Sequence, residues 1–104
     1  APKLSTMYDL IISNSKKPVG VQACIITEKN ICAYTCEKNT DIKFVEKSIT
    51  DFIKNEKLNV NVSLYTEQET FLKRVNSIAV NFEDTKENND KMGWNKEALL
   101  HMCI

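Results

Sequence analysis

Three apolar segments rich in β-formers, each closed by turn residues, precede the first stretch of helical periodicity, and this order constrains the fold more than any other feature of the chain. A strand buries alternate residues, whereas a helix returns to one face every three or four. Tyr8 to Ser13 is a short apolar run closed by Asn14, Ser15 and Pro18, and it predicts a buried first strand. Val19, Val21, Ile25 and Thr27 fall on alternate positions of a second strand. Lys29-Asn30 then offers a tight turn into a third, over Ile31 to Cys36. The expected product is an antiparallel meander.

Helical spacing begins after it. Ile42, Val45, Ile49, Phe52 and Ile53 form one apolar stripe, with Thr40 or Asp41 placed to cap it. Leu58, Val60, Val62 and Leu64 alternate with Asn59, Asn61 and Ser63, which predicts a fourth strand over Leu58 to Tyr65 with a less buried polar face. Thr66 and Glu69 have capping-box spacing ahead of Phe71, Leu72 and Val75, so a second helix is expected there. Ile78 to Phe82 reads as a short fifth strand, Glu83 to Asp90 as a polar loop, and Asn95 as the cap of a last helix over Lys96 to Cys103. The fold class expected is α/β (α+β) with a mixed sheet in the order βββαβα(β)α.

A chain of 104 residues with two separated glycines and two prolines has no linker to divide it, so a single domain over residues 1–104 is expected. Lys plus Arg and Asp plus Glu both number 14, leaving no net charge to draw in nucleic acid or an anionic membrane. Arg74 is the only arginine, so the planar fork that grips phosphates is nearly absent. Heavy use of lysine, asparagine and isoleucine matches an AT-rich genome, such as that of a phage or other mobile element, a parasite or a low-GC bacterium. No secretory pattern or membrane-length apolar run is present, which predicts a soluble, cytoplasmic chain with Cys24, Cys32, Cys36 and Cys103 reduced.

The element order resembles the ribonuclease H-like fold, in which three antiparallel strands and a helix lead to a strand parallel to the first. The stretch VNVSLYTE, ending at Glu67, is similar to that family's fourth strand, which closes on a threonine and a carboxylate. Gly93 to Leu100 looks like the stretch where the family has an asparagine ahead of an apolar helix. The resemblance implies a Mg²⁺ nuclease, because carboxylates converging on two hard cations hold the attacking and leaving oxygens of a phosphodiester. It places Glu67 at a catalytic acid position and offers Asp41 or Glu46 for the acid of the first helix. At the end of the first strand, however, Ile12-Ser13-Asn14-Ser15 stands where the family has an aspartate. Asp9 falls at the other end of that expected strand, about 13 Å away by strand rise. Glu83, Asp84 and Asp90 are further acids without a fixed place.

Other candidate groups carry bland readings. Glu67 in a first helical turn complements the helix dipole. Cys32, Cys36, His101 and Cys103 have the donor types of a zinc site, but ligands four apart on a strand lie about 13 Å apart, so packing is the expected role of the cysteines. His101 lies one helical turn from Glu97, without a marked nucleophile. Lys16 and Lys17 solvate a turn. With only two glycines no phosphate loop can form.

The leading expectation is a non-catalytic binding or regulatory domain of degenerate ribonuclease H-like fold, acting through a protein partner, with no cofactor. One alternative is a divergent Mg²⁺-dependent nuclease using Glu67 with Asp41 or Glu46, for which nucleic acid is the partner. Another is a profilin-like or roadblock-like adaptor that forms a homodimer through an open sheet edge.

Overall fold

A computed structural model describes residues 4–13 and 18–103. Its elements are β1 (Ser5–Ile12), β2 (Val19–Ile26), β3 (Asn30–Tyr34), α1 (Ile42–Asn55), β4 (Asn61–Tyr65), α2 (Gln68–Asn81) and α3 (Lys86–Met102). They form a mixed α+β unit around one sheet of order β1-β2-β3-β4, antiparallel across the first three strands and parallel between β3 and β4. β4 runs in the direction of β1, as expected, but pairs with β3. β1 and β4 are therefore opposite edges of the sheet. The expected turn at Asn14 and Ser15, with Lys16 and Lys17, lies outside the described residues.

Each face of the sheet has its own helices. Val45, Ile49 and Ile53 of α1 and Met92, Ala98, Leu99 and Met102 of α3 join Val21, Cys24, Ile26, Ile31 and Leu64 in the larger core. Phe71, Val75 and Ile78 of α2 pack on the other face against Cys32, Ala23, Ile25, Tyr34 and Tyr65. Phe71 anchors that helix, with its ring 5.8 Å from Tyr34 and 6.2 Å from Tyr65 between centroids. α2 lies over β3 and β4 and leaves the β1 half of its face open.

Strand alternation changes sides partway along the β1–β2 hairpin. Val19 and Val21 share the larger core with Cys24 and Ile26, while Ala23 and Ile25 face α2, so the regular alternation expected from Val19 through Thr27 does not hold. Asp9, opposite this point, has φ 53°, in the left-handed region, and the pairing passes from Tyr8↔Ala23 to Leu10↔Val21. A left-handed residue on one strand lets both strands turn over without a shift of register. β1 also starts earlier than expected, so Asp9 lies in mid-strand rather than at its start.

The first helix is as expected. Asp41 is its N-cap, accepting from the Phe44 N–H at 3.2 Å, and Val45, Ile49 and Ile53 are its buried residues. Its C-terminus is a Schellman turn: the Lys57 N–H donates to Lys54 O at 2.9 Å and the Leu58 N–H to Ile53 O at 3.2 Å. The left-handed position falls on Lys57, at φ 62°.

Four expectations in the second half are corrected. Ile78 to Phe82 is not a fifth strand: α2 continues through Asn81, because Phe71, Val75 and Ile78 lie on one helical face, with Val80 turned to solvent. Glu83 to Asp90 is not a long loop, since Thr85 caps α3 by accepting from the Asn88 N–H at 3.1 Å. Asn95 is consequently in the middle of α3 rather than at its start. The second helix begins with Glu67 at its N-cap and no side-chain capping bond, in place of the Thr66–Glu69 box. Among the described residues no helix is long and apolar enough to cross a membrane.

Candidate functional site

Asp41, Glu46 and Glu67, the acids that the resemblance singles out, lie toward the end of the sheet where β3 and β4 finish, and each is held by a different contact. Asp41 caps α1. Glu46, on the second turn of that helix, accepts the Leu64 N–H of β4 at 2.7 Å through Oε2. Glu67 accepts from Lys38 Nζ at 3.0 Å in an exposed ion pair. Asp41 and Glu46 thus join α1 to its own first turn and to the sheet, and Glu67 neutralises a surface lysine. No group of three or more His, Cys, Asp or Glu among the described residues could hold a metal ion.

Ser13, next to the end of β1, donates its N–H to Met102 O at 3.0 Å. With β1 and β4 at opposite edges, the ends of the first and fourth strands stand three strand spacings apart, roughly 14 Å. Metal-bridging carboxylates on those two ends would have to close that gap. Glu83 and Asp84 lie between α2 and α3, and Asp90 is on α3.

At the same end of the sheet the start of β2 is tied to the residues after β3. Thr35 is fully buried; its Oγ1 donates to Gly20 O at 2.7 Å and accepts the Glu37 N–H at 3.1 Å. Glu37 Oε2 accepts the Gly20 N–H at 2.7 Å, and Gln22 Oε1 accepts the Cys36 N–H at 2.8 Å. A Cβ at Gly20 would stand 3.4 Å from Glu37 Oε2, so the carboxylate closes onto the glycine backbone. These bonds use the polar groups to hold β2 and β3 together where the ladder ends.

The cysteines and the histidine are dispersed. Cys24 and Cys32 are buried, Cys103 is partly buried and Cys36 is exposed. Burial pushes the Cys24 thiol well above its ordinary value, helped by nearby Cys32 and Cys103. Burial also raises Cys32, although the Arg74 guanidinium beside it pulls the other way, and it raises Cys103. Thiols in this state pack and do not attack. His101 pairs through Nδ1 with Glu56 Oε1 at 3.0 Å on the surface, rather than with Glu97.

The open half of the α2 face has a different character. Tyr8, Ala23, Ile25, Phe71, Leu72 and Val75 line a groove of about 260 Å³ between β1 and α2. Tyr8 is 68% exposed and Leu72 49% exposed at its rim, and Ile11, 47% exposed, continues the apolar strip along β1. The outer edge of β1 is met among the described residues only near its end, where Ile12 bridges to Cys103. An unpaired strand edge therefore runs beside an apolar groove. Sequence reasoning sought the uncovered patch on the polar face of β4, where Asn61 is exposed but Ser63 is half-buried and Tyr65 packs under α2. The patterns gave no such signal for Tyr8 and Leu72: they place Tyr8 at the start of a buried strand and Leu72 on the apolar face of α2, and the structure exposes both.

No family model, no curated protein and no solved structure matches the chain.

Proposed function

We propose that this chain is a non-catalytic binding domain that acts through a protein partner, as a small regulator or inhibitor. The partner lays an extended segment along β1 and places an apolar side chain in the groove beside it. The observation that carries this reading is the coincidence of the free β1 edge with the groove between Tyr8, Phe71 and Leu72. Strand addition draws affinity from backbone hydrogen bonds and specificity from pockets for alternate side chains, and both parts are side by side here. The βββαβα element order is kept, but β4 stands at the opposite edge of the sheet from β1, and Asp41, Glu46 and Glu67 are each engaged in separate contacts, so the reading rests on the β1 edge and its groove.

The test begins with octapeptides selected from a displayed random library. Bound peptides are expected to shift the backbone amides of residues 5–11 and of the first turns of α2. Leu72→Asp should abolish binding with an unchanged melting temperature. Shifts confined to other elements, or a library that yields no binder, would overturn the proposal. A dimer seen by light scattering and dissolved by Leu72→Asp would replace the foreign partner with a second copy. Mg²⁺-dependent cleavage of an RNA–DNA hybrid, lost in Glu67→Gln, would replace binding with catalysis.

A further inference from the structure

On the opposite side of the sheet from the β1 groove, the β2–β3 turn, the end of α1 and the middle of α3 enclose a hollow of about 310 Å³. Its volume falls at the lower end of the range for small-molecule sites. Lys29 and Lys57 bring positive charge to its wall beside Lys91, which is paired with Glu87 at 3.1 Å, while Trp94 brings an aromatic face and Glu28 a carboxylate. We propose that this hollow binds a guanine nucleotide, with the base stacked on Trp94, its Watson–Crick edge on Glu28 and its phosphates among the lysines. This goes beyond the protein-binding reading and uses none of the same residues.

Three observations converge on this ligand. Trp94 is the only tryptophan of the chain, yet it is 56% exposed on α3 next to the buried Asn95. An indole left in water beside a hollow offers a stacking surface for a planar base. Glu28 Oε2 is buried and has no hydrogen-bond partner among the described residues. Such an oxygen gains when a donor reaches it. Glu28 also borders the smaller hollow beside Arg74.

The third observation is Lys57, which holds a left-handed backbone at φ 62° where a helix end ordinarily has glycine. A lysine kept in that conformation directs a cation to the rim at a conformational cost, the kind of strain that collects at binding sites.

The choice of base follows from hydrogen-bond sense. An ionised carboxylate only accepts. Guanine presents two adjacent donors, N1–H and the N2 amino group, on its Watson–Crick edge. Adenine presents one donor beside an acceptor, and the pyrimidines likewise set an acceptor next to their donor. Lysines hold phosphate as point charges rather than in a fork, so affinity should be moderate and salt-dependent.

Because Trp94 is the sole tryptophan, its fluorescence reports stacking at this site alone. Titration with GDP is expected to quench it, with guanosine and ADP each binding at least tenfold more weakly. Lys57→Ala should weaken GDP and leave guanosine unchanged, and Glu28→Gln should erase the preference for GDP over ADP, with both variants checked for an unchanged melting temperature. A short oligonucleotide with one guanine, run in parallel, distinguishes the sources: tighter binding than GDP assigns the site to a nucleic-acid strand, weaker binding to the free nucleotide. Absence of quenching at millimolar GDP, equal binding of GDP and ADP, or an unaltered preference in folded Glu28→Gln would overturn the proposal.

Discussion

Asn95 donates from Nδ2 to the carbonyl of Thr27 at 2.9 Å, across 68 positions of the chain, and the same amide nitrogen reaches Glu28 O at 3.2 Å. A buried side chain of α3 thus closes the β2–β3 turn, whose other polar groups are gathered by Thr27 Oγ1, which accepts from the Asn30 and Lys29 N–H groups at 2.9 and 3.2 Å. The turn that begins β3 is fixed from inside the molecule. Asn95→Leu leaves those carbonyls without their donor and should cost about 1–3 kcal/mol in urea unfolding. Asn95→Asp, which sets a carboxylate against two carbonyl oxygens, should cost more. An Asp variant as stable as the parent chain would contradict this account.

Lys57 occupies the left-handed position of the Schellman turn that ends α1. An L side chain there costs about 1–2 kcal/mol, partly offset in glycine by the greater freedom of its unfolded chain. Lys57→Gly should therefore raise stability by roughly 0.5–1 kcal/mol, read as a higher urea midpoint with an unchanged m-value. A lower midpoint would show that the lysine side chain stabilises the turn by more than its backbone conformation costs.

Thr35 joins β2 to β3 through one hydroxyl that both donates to Gly20 O and accepts from Glu37 N. Thr35→Val keeps the shape and removes both bonds in a fully buried site, with an expected loss of about 1–3 kcal/mol. Thr35→Ser keeps the hydroxyl and should lose less. Amide exchange at Glu37 is expected to quicken in the valine variant and to stay slow in the serine one.

The buried thiols make stability depend on alkaline pH. The Cys24, Cys32 and Cys103 thiols are raised above the ordinary value of 9.0, so the unfolded chain loses these protons first. Their contribution is complete below pH 9 and falls as pH rises above it, by at most about 1.4 kcal/mol per pH unit for the fully buried Cys24 and by less for Cys32 and Cys103. Urea midpoints at pH 8 and pH 10 should differ accordingly, and Cys24→Ala, although less stable at pH 8, should show the shallower decline. A thiol reagent at pH 8 should label the exposed Cys36 of the native chain and spare Cys24.

The first half of the fold was legible because its signals are local. Asp41 precedes a stripe of five apolar residues, and three such positions, Val45, Ile49 and Ile53, are the buried residues of α1. The meander and the alternation of Val60, Val62 and Leu64 were readable for the same reason. α3 was not, because its first half carries a single buried residue before Asn95, Met92, and depends on the Thr85 cap and the Lys91–Glu87 pair at 3.1 Å. Ile78 to Phe82 misled because β-branched residues fill a helical segment that tertiary packing holds through Ile78. The pairing of β4 with β3 was not legible either, since an edge position is decided by which neighbour covers it. Nor were the two hollows, whose walls bring together residues far apart in sequence, such as Glu28 with Trp94 and Tyr8 with Leu72.

The left-handed Asp9 has a consequence for how molecules of this chain meet one another. It divides β1 into two short lengths, 5–8 and 10–12, of which the second is closed at Ile12 by the bridge to Cys103. Fibril growth needs a straight template on which identical strands stack without interruption. A guest a few residues long can settle on the first length beside Tyr8, whereas a longer strand meets the turn-over before it can propagate. The same residue that lets the hairpin bury both its halves thus interrupts the straight template that a stacking strand needs.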